Sequence, residues 1–184
     1  MVYQRLLRSL LLICVLGAAA AAQQSAAGGD FTLTDHHDKQ FRLADQRGKV
    51  ILLFFGYTSC TEACPVILSR INSVFKQLGP EREKVLAVFI SVDPQRDTTQ
   101  VLREYVKYFS AHTVALTGKK AELDAVVKQY GAKYEIEKSD SALGYHVSHT
   151  TDIYLIDQRG ALQSRFKHTD NAALMVAGVK RLWR

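Results

Sequence analysis

Cys60 and Cys64, four residues apart where an apolar run ends, are the side chains of this chain best equipped for chemistry. Residues at that spacing on a helix face the same way, with Cβ atoms about 5 to 6 Å apart. A relaxed disulfide wants roughly 3.5 to 4.5 Å between the same atoms. Two thiolates sharing one metal ion can lie up to about 4.6 Å apart, and their Cβ atoms further apart still. Metal capture therefore fits the spacing without strain. Pro65 disfavours helical geometry at Cys64 and predicts that the helix proper starts after it. The pair then straddles loop and helix and keeps the freedom to close a redox disulfide as well.

A metal site needs a third ligand, and His149 is the first choice. It stands at the start of a predicted strand over 150–156. If that strand runs antiparallel to the one feeding the cysteines, its start lies at the edge where they emerge. His146 is the fallback, although strand alternation turns it to the opposite face. Cys2His suits copper in either state, since soft thiolates select Cu(I) and an imidazole supports Cu(II). Zinc fits the same ligands.

The strand that must position the cysteines is residues 50–55, a continuous apolar run of the kind covered on both faces. It leads directly into Gly56-Tyr57-Thr58-Ser59-Cys60, so the thiols sit beyond its carboxyl end, where open α/β sheets bind ligands. The start of the next helix adds unsatisfied N–H groups that favour a thiolate. Residues 66–78 carry apolar side chains at helical spacing. Residues 85–92 read as a second buried strand, and Asp97 with Gln100 as a capping box for a helix reaching Phe109. A short strand at 114–116, a helix over 119–130 and a loop at 139–144 follow. A hairpin of 150–156 with 161–166 turns at Asp157-Gln158-Arg159-Gly160, and a closing helix covers 171–183. Before all these, 31–33 and 40–43 flank Asp35-His36-His37-Asp38 as an N-terminal hairpin. His36 and His37 read there as exposed turn residues rather than metal ligands, with no thiol or carboxylate fixed beside them. The expected fold is α/β with a mixed central sheet.

Residues 1–8 carry Arg5 and Arg8 and no acid, and 10–22 form an unbroken apolar run ending in five alanines. The run is short for a membrane span, which needs about 20 residues. It reads as a signal peptide over 1–22 cleaved near Ala22, or as an uncleaved N-terminal anchor, with 23–30 as linker and 31–184 as the folded domain. Either way the body is exported. Cys14 follows Ile13 rather than a small residue and reads as part of the leader, not as a lipidation site. The remaining thiols, Cys60 and Cys64, face an oxidising compartment. Setting Arg5 and Arg8 aside leaves 22 basic against 18 acidic residues with no dense basic block, so no nucleic-acid partner is expected. Of 184 residues, 47% are apolar and 23% charged, which excludes a disordered chain and allows one domain with a real core.

Three separated motifs, in order, complete the reading. They are Phe54-Phe55-Gly56-Tyr57-Thr58-Ser59-Cys60-Thr61-Glu62-Ala63-Cys64-Pro65, then Ser91-Val92-Asp93-Pro94-Gln95-Arg96-Asp97-Thr98, then Tyr145-His146-Val147-Ser148-His149-Thr150 with Tyr154-Leu155-Ile156-Asp157. From about Phe31 onward the chain resembles the Sco (SenC) family of copper chaperones. The resemblance implies a thioredoxin-like fold and copper, as Cu(I) or Cu(II), held by Cys60, Cys64 and His149. It also implies a task, assembling the dinuclear copper centre of cytochrome c oxidase subunit II. The expected compartment is the periplasm, with or without an inner-membrane anchor. Expected partners are subunit II, a periplasmic thiol reductant and another copper carrier. Two departures stand out. Thr61-Glu62-Ala63 replaces the usual Pro-Asp-Val, and Ser148 stands where an Asp often precedes the histidine, removing a carboxylate that could orient it.

Three rivals remain. A thiol-disulfide reductase acting on oxidase cysteines is compatible with the resemblance, although three residues separate the thiols and no proline lies near 150. Thr61-Glu62-Ala63-Cys64 has peroxidatic spacing, but that chemistry does not require Cys60. A structural disulfide is the bland alternative, and so small a loop constrains the unfolded chain little.

Overall fold

The computed structural model describes residues 27–109, 112–140 and 144–183. The expected leader, with Cys14, lies outside these residues, as does the start of the expected linker. The rest of that linker is packed on the domain. Gly28 N donates to Gln129 O, Tyr130 Oη donates to Gly29 O, and Asp30 pairs with Arg47. No helix among the described residues is long and apolar enough to cross a membrane.

Seven strands form the central sheet. In chain order they are β1 (Thr32–Asp35), β2 (Gln40–Arg42), β3 (Val50–Gly56), β4 (Val85–Ser91), β5 (Thr113–Thr117), β8 (Ile153–Ile156) and β9 (Leu162–Phe166). Their spatial order is β2-β1-β5-β4-β3-β8-β9. β3, β4 and β5 run parallel, and the N-terminal hairpin β1–β2 and the C-terminal hairpin β8–β9 join antiparallel at either side. The sheet is mixed and the arrangement thioredoxin-like, with an added N-terminal hairpin.

Both faces of β3 are covered, which is why its sequence is apolar throughout instead of alternating. Val50, Leu52 and Phe54 face a layer built from α1 (Ala63–Leu78), α2 (Thr99–Val106) and α4 (Ala172–Arg181). Ile51, Leu53 and Phe55 face α3 (Lys120–Gln129) and the N-terminal segment around Phe31 and Phe41. A separate two-stranded ribbon, β6 (Tyr134–Lys138) with β7 (Tyr145–His149), lies outside the central sheet. It inserts Val147 into the α3-side core.

Three local expectations are corrected. α1 begins at Ala63, so Cys64 and Pro65 lie in its first turn. Pro65 is tolerated there because the first helical N–H groups have no intrahelical partner. α2 is capped by Thr98, whose hydroxyl accepts from Val101 N, while Asp97 turns inward. His36 is buried, not exposed. Its Nδ1 accepts from Ala115 N across the β1–β5 junction, and burial, foremost, holds the imidazole below its ordinary pKa. That makes it a structural member of the sheet edge.

Candidate metal centre

β3 ends at Gly56, and the chain turns through Tyr57 to Ser59 before reaching Cys60. Cys60 precedes α1 and is partly exposed. Cys64 points back from the first turn of α1 and is fully buried. The turn is held from beneath by the buried Asp97 carboxylate. It accepts from Thr58 N at 3.0 Å, from Thr58 Oγ1 at 2.6 Å and from Ser91 Oγ at 2.6 Å. Burial still raises the Asp97 pKa against these hydrogen bonds. One carboxyl group thus ties the cysteine turn to the end of β4.

His149 reaches the thiols from a direction the sequence did not disclose. It is the last residue of β7, not the first of a strand over 150–156, and β8 begins only at Ile153. The antiparallel pairing of β8 with β3 nevertheless brings it to the expected edge. Its Nδ1 lies 3.0 Å from Thr150 O, a contact that sets the orientation of the ring. Its Nε2 then points at Cys64 Sγ, 3.7 Å away. A backbone carbonyl therefore does the orienting work that Ser148, exposed on the outer face of β7, cannot do. The Tyr57 ring meets the imidazole edge to face, with centroids 5.8 Å apart.

The ligand atoms of Cys60, Cys64 and His149 all lie within 4.8 Å of one another. His36 and His37 are not part of this group. His146 alternates outward and pairs with Glu137 across the ribbon at 2.8 Å, both side chains exposed. A cleft of about 500 Å³, lined in part by Tyr57, Cys60, Glu62 and His149, opens the site to solvent.

The two thiols are free and unequal. A hydrogen bond donated by the Cys64 thiol is the chief reason that Cys60 is pushed down to about 3. His149 and the N–H groups of Glu62 and Cys64 add to it, against the cost of burial. Cys64 moves the other way, because it donates to Cys60, is buried and faces a neighbouring negative charge. Cys60 is the standing thiolate and Cys64 the proton holder. Alkylation of the reduced protein by iodoacetamide is therefore expected to label Cys60 at nearly the same rate from about pH 8 down to about pH 5, while Cys64 resists throughout. Peptide mapping by mass spectrometry checks this. A Cys60 rate that falls about tenfold per pH unit across that range would show an ordinary thiol.

Sequence reasoning missed the supporting positions of Asp97 beneath the cysteine turn and of Tyr57 against the imidazole. Both lie inside the quoted motifs, so the signal was present but its geometry was not.

Comparison with known proteins identifies the family. Residues 19–184 match the SCO1/SenC family. The structure of copper-bound ScoI from Bradyrhizobium japonicum superposes with a TM-score of 0.78 at 36% identity, covering 85% of this chain and 99% of that one. Copper-bound ScoI from Arabidopsis thaliana gives 0.79 at 30% identity, over 86% and 99%. A SCO2-like protein of Rickettsia felis is 34% identical over 140 residues, 76% of this chain and 68% of its own.

Proposed function

Because the chain belongs to the SCO1/SenC family, we propose that it is an exported copper carrier that loads the dinuclear copper centre of cytochrome c oxidase subunit II. The observation that carries this reading is the convergence of two sulfurs and one imidazole nitrogen within 4.8 Å at a solvent-open cleft. Copper is the cargo. Cys60 and Cys64 supply the soft sulfur donors that favour Cu(I), and His149 Nε2 supplies the nitrogen that lets the same site accept Cu(II). The standing Cys60 thiolate takes the ion first; Cys64 gives up its proton as the second bond forms. Openness on the cleft side suits a carrier, which must release what it binds. The copper-bound ScoI relatives support the choice of metal. The oxidase client, the periplasmic site of action, the thiol reductant and a copper donor upstream rest on the family resemblance.

A second reading is favoured by one observation, the unequal exposure of the thiols, Cys60 reaching the cleft and Cys64 buried behind it. A thiolate beside a protonated partner is the arrangement of a disulfide reductase. Cys60 would attack a client disulfide and expel one client thiolate. Cys64 would then displace the second, leaving a Cys60–Cys64 disulfide to be reopened by the reductant.

The test loads the reduced chain with copper and with zinc in parallel, then repeats it on protein whose Cys60–Cys64 disulfide is verified by mass spectrometry. The reduced form is expected to hold one copper per chain in preference to zinc and to pass it to the copper-free soluble domain of subunit II. The disulfide form is expected to hold none, because its ligands are consumed. Equal copper uptake by both forms, or zinc retained in place of copper, overturns the carrier reading. Reduction of a subunit II disulfide with no copper uptake establishes the second.

A further inference from the structure

The ribbon β6–β7 carries His149 yet is not hydrogen-bonded into the central sheet, so something else must hold β7 against the cysteine turn. Val147 anchors its middle in the core, and Thr150 just beyond it exchanges hydrogen bonds with Lys133 at 2.9 Å. The opposite end, Tyr145, is gripped from the loop that follows β4. Arg96 lies with its guanidinium 3.7 Å from the centroid of the Tyr145 ring, and its Nη1 donates to Tyr145 O at 3.0 Å. Its Nε pairs with Asp93, whose carboxylate is almost fully buried and also accepts from Tyr145 Oη at 2.8 Å. The same guanidinium lies 5.5 Å from the Tyr57 ring, and Tyr57 is the residue that packs on His149.

Arg96 thus stands between the turn that carries the cysteines and the strand that carries the histidine, touching an aromatic ring of each. We propose that Arg96 is a positioning residue for the metal centre. It clamps Tyr145 and Tyr57 together and so fixes how closely the His149 imidazole approaches Cys60 and Cys64. Tyr145, Val147 and His149 alternate onto the same inward face of β7, so a shift at Tyr145 is passed along the strand to the imidazole. Planarity matters as much as charge. A guanidinium stacks on Tyr145, bonds its carbonyl and pairs with Asp93 at once, which an ammonium does not do.

This inference rests on the proposed copper site. Its test uses the full chain, reduced, with copper alone as probe. Arg96→Ala is expected to weaken Cu(II) binding by about tenfold, in the range seen when a residue supporting a ligand is lost, and to alter the sulfur-to-Cu(II) charge-transfer band and the electron paramagnetic resonance hyperfine pattern. Cu(I) binding, governed by the two thiolates, is expected to fall by less than about threefold. On a His149→Ala background the Arg96 substitution is expected to add no more than about twofold to the Cu(II) loss, because the route through the imidazole is already gone.

Arg96→Lys keeps a cation beside Asp93 and carries the test if Arg96→Ala does not fold. It is expected to alter the Cu(II) spectrum in the same direction with a smaller loss. An unchanged spectrum and affinity in the folded variants overturns the proposal. So does an equal loss on the His149→Ala background, which would mark a general structural role. If the unmodified chain takes no copper, the carrier reading fails, an outcome distinct from either of these.

Discussion

Replacing His149 with alanine is expected to weaken Cu(II) binding by well over tenfold while leaving both cysteines titratable and able to form a disulfide. In the proposed site the imidazole is one of three candidate ligand atoms gathered within 4.8 Å, and the Nδ1 contact with Thr150 O turns its Nε2 toward the thiols. Without it, two thiolates remain, which hold Cu(I) but are a poor set for Cu(II). His146→Ala is expected to change little, since that ring pairs with Glu137 on the exposed face of the ribbon. Copper competition titrations on both variants, beside thiol counting and circular dichroism, check this. Loss of copper in His146→Ala with parental affinity in folded His149→Ala would reverse the ligand assignment. The contrast also separates carrier from reductase, because thiol exchange needs the two sulfurs and no imidazole ligand.

What the sequence disclosed about this site, and what it hid, follows from how each residue is held. The strand 50–55 was legible because burial on both faces leaves an uninterrupted apolar run, and the structure divides that run alternately between two cores. The position of the cysteines followed from it directly. The ribbon did not follow, because β6 reads Tyr-Glu-Ile-Glu-Lys and is mostly exposed, so it carries no strong buried pattern. Without β6, His149 was assigned to the next strand; the edge was right and the element wrong. Asp97 was hidden for another reason. An Asp just before a helix has the signature of a cap, and nothing local distinguishes that from a carboxylate turned inward to Thr58 and Ser91. Pro65 misplaced the start of α1 because the bias against a helical residue before proline is a preference and not a prohibition, and Cys64 is helical here.

Nothing in the chain around Gly56 marks it as special, whereas its surroundings in the fold do. It ends β3 with extended pairing to Ser91, so no unusual backbone angle explains its type. The close approach of its neighbours does. A methyl group at this position would lie 2.5 Å from Cys64 Sγ, 3.0 Å from Phe89 Cε2 and 3.8 Å from His149 Cε1. Carbon and sulfur in contact need roughly 1 Å more than the first of these, so the sulfur must move, and it is buried against the site it serves.

Gly56→Ala is therefore expected to destabilise the fold by about 1 to 3 kcal/mol, the usual range for overpacking a core. It is also expected to lower copper affinity by at least about tenfold by driving one ligand out of place. Placing the same substitution on a Cys64→Ala background separates these effects, because the atom that causes the worst contact is then gone. The stability cost should shrink there and leave only the pressure on Phe89, a coupling that two independent sites would not show. Urea denaturation of the four proteins measures the coupling, and copper titration of Gly56→Ala measures the displaced ligand. Strictly additive stability changes, together with parental copper affinity in Gly56→Ala, would mean that Cys64 adjusts freely and that the small residue at the end of β3 does not set the position of the thiol.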